Sequence, residues 1–272
     1  GLPYIIPELR EGMFEFEMAQ KGLPDALLEL KDLKGILHAH STYSDGKQSL
    51  KEMAQACQSQ GYEYLGITDH SKSAFYANGL YENRVEQQHK EIDQLNEALA
   101  PFRIFKGIES DILADGRLDY ADEVLASFDF VIVSIHTALK MDVAKATQRI
   151  IKAIEHPSAH ILGHPSGRLL LRRAGYELNY ETIIDACVAN QVSIEINANP
   201  WRLDLDWRWV KRAMDKGVLI SVNPDAHHIN GIQDVKYGVW MGRKAGLLPA
   251  QTLNTFNISE IAAFFKKEGR PG

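Results

Sequence analysis

At 272 residues, with 45% hydrophobic and 24% charged residues, the chain is long enough to bury a sizeable core and has the make-up of an ordinary globular protein. No apolar run approaches the roughly 20 residues that cross a bilayer, and the start, Gly1-Leu2-Pro3-Tyr4, lacks a basic segment leading into an apolar one. Neither a membrane span nor a signal peptide is expected, and the cytoplasm is the expected compartment. The balance of 30 Lys and Arg against 36 Asp and Glu gives −6, which argues against a strong unaided grip on nucleic acid. Bound cations would change that locally, since three divalent ions bring about six positive charges into one cleft.

Residues 1–32 carry an acidic, helix-like stretch without strand signals and read as a leader packed against a main domain spanning 33–272. From Leu33 onward short apolar or β-branched runs alternate with longer amphipathic ones, the pattern of βα units around a parallel sheet. The expected strands, in chain order, are Gly35 to His40, Tyr64 to Asp69, Ile104 to Glu109, Asp129 to Ile135, His160 to Gly163, Val192 to Asn197 and Val218 to Asn223. Between them, Ser49 with Glu52 forms a capping box for a helix that Gly61 ends. Val85, Gln88, Ile92, Leu95 and Leu99 keep a helical stripe, and Asn179 and Asp206 stand as N-caps of two later helices. The tail beyond Lys244 predicts a helix start at Pro249 and a helix over Glu260 to Glu268 capped by Ser259. Cys57 and Cys187 fall in helix-like segments and read as buried thiols, not as a disulfide or a CxxC site.

The chemistry lies at the carboxyl ends of these strands. His38 and His40 are two apart on the first strand and share a face. Asp45 follows in the next loop, Asp69-His70 ends the second strand, Glu109 the third, His136 the fourth and His164 the fifth, while Asp225 and His227 follow the seventh. In a closed parallel barrel these ends converge on one rim, where active sites of such folds lie. Imidazoles and carboxylates without thiolates suit Zn, Mn or Fe, and nine such ligands are too many for one ion, so two or three divalent metals are expected. A carboxylate shared by two ions is a common device for hydrolysing phosphate esters. Glu109, the only glutamate in the set, is the candidate bridge. Asp69 is the second candidate catalytic carboxylate, acting by orienting a neighbouring ligand. Lys72, Lys140, Arg168 and Arg202 follow strand ends and are candidates for holding phosphate oxygens, with Lys72, Arg168 and Arg202 expected around a terminal nucleotide. Tyr43, Phe75, Tyr76 and Trp201 are loop aromatics available for stacking on bases.

Taken together, His38-Ala39-His40, Ser44-Asp45-Gly46, Thr68-Asp69-His70, Gly107-Ile108-Glu109, Ser134-Ile135-His136, Gly163-His164-Pro165 and Asp225-Ala226-His227 resemble the motifs of the polymerase and histidinol phosphatase (PHP) family, over nearly everything from Leu33 to Arg243. The resemblance implies a distorted seven-stranded (β/α) TIM-like barrel. It also implies a trinuclear centre: His38, His40, Glu109 and Asp225 on one metal, Glu109, His136 and His164 on a second, Asp45, His70 and His227 on a third. Leu2-Pro3-Tyr4, Pro7 to Glu11, Thr68 to Ser73, Asn199 to Asp204, and Asp225 to His228 with Tyr237-Gly238-Val239 are similar, more closely, to the carboxyl-terminal half of bacterial family X DNA polymerases. That similarity implies a Mn-dependent 3′ to 5′ exonuclease or end-processing enzyme acting on DNA 3′ ends, with the polymerase region absent from these 272 residues. Two alternatives remain: a small-molecule phosphatase acting on a phosphomonoester such as histidinol phosphate, and a non-catalytic, metal-stabilised interaction domain. One departure from the family pattern is Pro224, immediately before Asp225.

Overall fold

The computed structural model describes residues 1–24 and 26–267. Seven parallel strands follow one another in a single sheet: β1 Gly35–Ile36, β2 Tyr64–Ile67, β3 Arg103–Asp111, β4 Phe130–Ser134, β5 Ile161–Leu162, β6 Ser193–Asn197 and β7 Ile220–Asn223, each paired with its sequence neighbours. All seven sit where the strand signals predict them, because the runs are buried on both faces apart from Arg103 and Lys106 and keep apolar residues at least at alternate positions. The helices are α1 Glu15–Lys21, α2 Leu50–Ser59, α3 Glu82–Ala98, α4 Asp122–Leu125, α5 Val143–Ile154, α6 Tyr180–Asn190, α7 Trp207–Asp215, α8 Val235–Lys244 and α9 Ile258–Lys266. The capping box at Ser49 and the caps at Asn179 and Asp206 are present. At the tail the expectation shifts. Pro249 opens a 3-10 turn, Pro249–Gln251, and α9 is capped by Asn257, whose side chain accepts from Ser259 and Glu260 backbone N–H groups. The expected last residue of that helix, Glu268, lies outside the described residues.

The ring is closed by two different devices. Near the carboxyl end, Ala39 and Ala226 form a parallel bridge between the segments that continue β1 and β7. Nearer the amino end a tail residue fills the seam. Asn254 donates to Gly35 O at 3.0 Å, accepts from Val222 N at 2.7 Å and donates to Asn223 Oδ1 at 3.0 Å, so no backbone edge is left open there.

Inside, the barrel is layered. Tyr64, Phe105, Phe130, Ile132 and Ile161 form an apolar floor with Leu253, Ile261 and Phe265, and the Phe130 and Phe265 rings stack at 4.5 Å, so α9 plugs the amino-terminal mouth. The ring of Phe130 needs room in the next layer. Gly66 and Gly107 supply it, since a Cβ at either would come within 2.5 Å of that ring. One step further along the same alternation come Glu109 and Asp111 on β3 and Ser134 and His136 at the end of β4, a polar layer buried beneath the rim.

The amino-terminal residues pack on the barrel's outside: Leu9, Ala19, Leu27 and Leu28 are buried, and Arg243 of α8 holds Glu8 at 2.6 Å. Cys57 and Cys187 are free, buried thiols. No helix among the described residues is long and apolar enough to cross a membrane.

Candidate metal centre

All nine expected ligand side chains meet at the carboxyl rim. Glu109 lies at the centre. His38 Nε2 is 3.5 Å, His40 Nε2 3.7 Å and His70 Nδ1 3.0 Å from its Oε2, while His136 Nε2 is 3.2 Å and His164 Nε2 2.9 Å from its Oε1. Asp225 Oδ1 sits 3.1 Å from His40 Nε2 and 3.5 Å from His38 Nε2. Asp45 Oδ1 faces three imidazoles, His227 at 3.4 Å, His70 at 3.8 Å and His40 at 3.9 Å. Three clusters have ligand atoms close enough to share an ion: His38, His40 and Asp225; His70, Glu109 and His136; and His40, Asp45, His70 and His227.

The chemistry of this set fits divalent cations. Among the described residues, buried His38 Nε2, His40 Nδ1 and His164 Nδ1 make no hydrogen bond, and His70 Nδ1 and His136 Nε2 meet Glu109 only as close contacts without good hydrogen-bond geometry. Each such atom carries a desolvation cost of about 1–3 kcal/mol unless a ligand meets it. Three carboxylates in one water-poor pocket also require compensating positive charge. Burial alone would push the Glu109 and Asp225 carboxyls up. His136, His38 and His70 around the first, and His38, His40 and His227 around the second, outweigh it and hold both well below the usual carboxylate range. Asp45 is held down to about 2, burial being outweighed by His227, His40 and His70. The carboxylates are therefore ionised, the state in which they bind metal. Burial, with His227 and His70 alongside, pushes His40 down to about 3 and keeps it a neutral ligand.

The backbone is bent to make this possible. Asp225, after Pro224, has φ +53°, and His164 has φ +21°, left-handed values that cost non-glycine residues energy and cluster at functional sites.

A model of the PHP domain matches residues 37–199, more than half of the chain. The chain belongs to the PHP domain family. Over 267 residues it is 44% identical to the DNA polymerase/3′-5′ exonuclease PolX of Bacillus subtilis, an alignment that covers 98% of this chain and 46% of that protein. The chain thus spans about half the length of that relative. A probable phosphatase of Thermoanaerobacter is 26% identical over 251 residues, covering 88% of this chain and 97% of the relative. Among solved structures, the histidinol phosphate phosphatase of Lactococcus lactis, complexed with zinc, L-histidinol and phosphate, superposes with a TM-score of 0.60 at 17% identity, covering 79% of this chain and 94% of its own, which shows a shared fold.

Around the PHP cluster stands a supporting layer that strand-end reasoning does not reach. His38 Nδ1 donates to Glu195 Oε1 at 2.7 Å, and Glu195 Oε2 accepts from His164 N at 2.9 Å. His136 Nδ1 donates to Asp111 Oδ1 at 2.5 Å, aiming its Nε2 at Glu109. The signal for both carboxylates is alternation. Glu195 lies between Ser193 and Asn197 on one face of β6, and Asp111 is two residues past Glu109 on β3, so each points to the interior of a barrel whose outer face is apolar.

Several expected site residues occupy other positions. Asp69, expected among the catalytic groups, is buried and spent on the loop that carries Asp45: it accepts from Ser41 N and Oγ, Ser44 N and Oγ, and Gln88 Nε2, at 2.5–3.1 Å. Burial pushes its carboxyl up, while the Ser41 and Ser44 hydrogen bonds pull the other way. Lys72 pairs with Glu82 at 2.6 Å, and Arg168 donates to Arg202 O at 2.8 Å and to Leu203 O, bracing the loop after β6. Both cations are engaged in protein contacts and do not reach freely over the rim. Arg202 Nε lies 3.5 Å from Asp225 Oδ2, inside the cluster's edge, not out on the rim as expected. Lys140 alone of the four is exposed without an ion-pair partner among the described residues. Of the aromatics, Tyr76 is exposed with its ring centroid 6.4 Å from that of His70, and Tyr43 is tied to Glu91 by its hydroxyl.

Proposed function

We propose that this chain is a metal-dependent phosphoesterase that cleaves phosphodiesters at DNA 3′ ends, with two to three divalent ions, Mn²⁺ or Zn²⁺, held by His38, His40, Asp45, His70, Glu109, His136, His164, Asp225 and His227. The observation that carries the reading is the gathering of five imidazoles on Glu109, with Asp225, Asp45 and His227 completing the cluster beside them and buried ring nitrogens without a well-formed hydrogen bond among the described residues. Divalent ions held there supply a water of lowered pKa and neutralise charge on phosphoryl oxygens. The chain's own residues supply the geometry. Glu195 and Asp111 fix the proton of His38 and His136 on Nδ1 and turn each Nε2 inward. Asp69 holds the Ser41–Ser44 loop so that Asp45 faces His227 at the open edge, where both side chains are about one-third exposed and substrate can approach. Arg202 adds a permanent positive charge beside Asp225, suited to a phosphate oxygen.

The choice of DNA is supported by similarity across 98% of the chain to a protein named as a polymerase and 3′-5′ exonuclease. A polymerase region preceding this domain in the parent protein belongs to the same proposal. The second reading, a phosphatase of small phosphomonoesters, is favoured by the probable phosphatase that aligns over 97% of its own length. The non-catalytic reading is disfavoured because no ligand position is missing.

Two measurements decide. After reconstitution, elemental analysis is expected to find two to three transition-metal ions per chain, and less than one equivalent overturns the multinuclear centre. Zinc, manganese and magnesium forms are then offered an end-labelled oligonucleotide beside histidinol phosphate. Shortening from the 3′ end supports the proposal, whereas rapid dephosphorylation of histidinol phosphate with the oligonucleotide untouched replaces it with the second reading.

A further inference from the structure

Trp201 stands half exposed on the loop between β6 and α7 and belongs to neither hydrophobic cluster of the protein. Exposure alone is ordinary, since Trp240 is more exposed still; what sets Trp201 apart is what backs it and which loop carries it. The ring is held firmly all the same. Arg172 lies over it with its guanidinium carbon 4.8 Å from the ring centroid, Trp201 N donates to Asn199 Oδ1 at 3.0 Å, and Trp201 O accepts from Leu170 N at 2.6 Å. The supporting turn is itself closed by a Leu169 to Arg173 bridge and by Arg173 donating to Gly167 O at 2.7 Å. The next residue, Arg202, reaches Asp225 in the metal cluster. Trp201 therefore sits one residue, about 3.8 Å of backbone, from a group at the centre's edge.

We propose that Trp201, backed by Arg172, is a stacking platform for the nucleobase of the 3′-terminal nucleotide, seating the base beside the metals while its phosphodiester lies over them. This rests on the DNA-end reading above and adds how the end is held. A flat, rigid, half-exposed ring accepts any base, because every base has a π-face, and so binds without reading sequence. The surroundings suit a polyanion through Arg172 and Arg173, which form no ion pair among the described residues, whereas Arg168 and Arg202 are already paired with Asp206 and Asp225.

The test pairs two substrates with three proteins in the Mn²⁺-reconstituted form: a single-stranded oligonucleotide with a normal 3′ end and the same strand whose 3′-terminal nucleotide lacks its base, each with wild type, Trp201→Phe and Trp201→Ala. Trp201→Ala is expected to raise KM about 5- to 100-fold on the normal end, the range of one lost base stack, and to change the base-less end little. Trp201→Phe should recover most of the loss. A 3′-terminal 2-aminopurine should be quenched on binding wild type and not on binding Trp201→Ala. Equal losses on both ends would show that Trp201 only braces Arg202, and no loss on the normal end would show that nothing stacks there; either overturns the platform. Wild type alone reports on the underlying reading: if it ignores every oligonucleotide, the DNA-end function fails first, independently of the variants.

Discussion

His38 donates through Nδ1 to Glu195 Oε1 at 2.7 Å, and both side chains are wholly buried. The bond settles which imidazole nitrogen faces Glu109 and Asp225, since the proton is kept on the far side of the ring. Glu195 also takes Asn223 Nδ2 at 3.2 Å and His164 N at 2.9 Å, so one carboxylate orients two candidate ligands. Glu195→Gln should leave the fold intact and lower metal affinity about 10- to 100-fold, the usual effect of losing a partner behind a ligand. Competition with a metal-sensitive chelator measures it. Unchanged affinity would mean that His38 is oriented by packing alone.

Glu109 and Asp45 should differ sharply. Glu109 is buried among five imidazoles, whereas Asp45 is about one-third exposed and faces three. Glu109→Gln is expected to reduce kcat by more than the about 100-fold ceiling of a supporting residue, and to lower metal content, while Asp45→Asn costs less on both counts. Equal or reversed losses at saturating metal would show that Glu109 is not the shared ligand.

Arg202→Ala tests where that cation acts. With its Nε 3.5 Å from Asp225 Oδ2, the guanidinium belongs to the edge of the metal cluster. Its removal should slow an oligonucleotide and a small chromogenic phosphodiester by similar factors, about 10-fold or more, the value of a charge-assisted contact. A loss confined to the oligonucleotide, with a flattened salt dependence, would return Arg202 to the outer rim and to backbone phosphates.

A fourth expectation concerns pH and a carboxylate outside the candidate ligand set. Asp204 is buried within the loop that carries Trp201, its Oδ2 accepting from Ser166 N and Oγ at 2.9 Å while Oδ1 has no partner among the described residues. Burial pushes its carboxyl up to about 6, with Arg168 and Ser166 offsetting only part. An unfolded aspartate titrates near ~3.9, so between about pH 4 and pH 6 the folded chain holds the proton longer than the unfolded one. Stability from this group is then largest below that window and declines as pH rises through it, by on the order of 2–3 kcal/mol. Asp204→Asn should abolish that decline in urea-midpoint measurements from pH 4 to 7, and an unchanged slope would assign it elsewhere.

The barrel was readable from sequence because its strands are short, buried on both faces and punctuated by helix caps such as Ser49, Asn179 and Asp206. The candidate ligands were readable because His38, His70, His136 and His164 stand just past strand ends, where a parallel barrel gathers them, and Glu109 closes the apolar run of β3, although that strand continues two residues beyond it to Asp111. Their partners were harder to see. Glu195 lies within a strand, two residues before its end, and mid-strand polar residues look like solvent-facing ones until closure of the ring shows that both faces are covered. Asp69 and the arginines could not be placed for a different reason. A carboxylate beside His70 looks like a participant in the chemistry, and only loop geometry reveals that Ser41, Ser44 and Gln88 consume it. Likewise Arg168 and Arg202 are alike as loop cations, yet backbone carbonyls take one and Asp225 the other.

Asn254, which seals the seam between the first and last strands, also touches the chemistry at a distance. It donates to Asn223 Oδ1 at 3.0 Å, Asn223 Nδ2 donates to Glu195 Oε1 at 3.2 Å, and that same oxygen accepts from His38 at 2.7 Å. An unbroken relay of hydrogen bonds therefore runs from a turn just ahead of α9, along the barrel's interior, to an imidazole of the candidate metal centre. The carboxyl-terminal segment is a keystone as well as a plug: disturbing it loosens the alignment of His38, so removing the tail would weaken metal binding along with the fold.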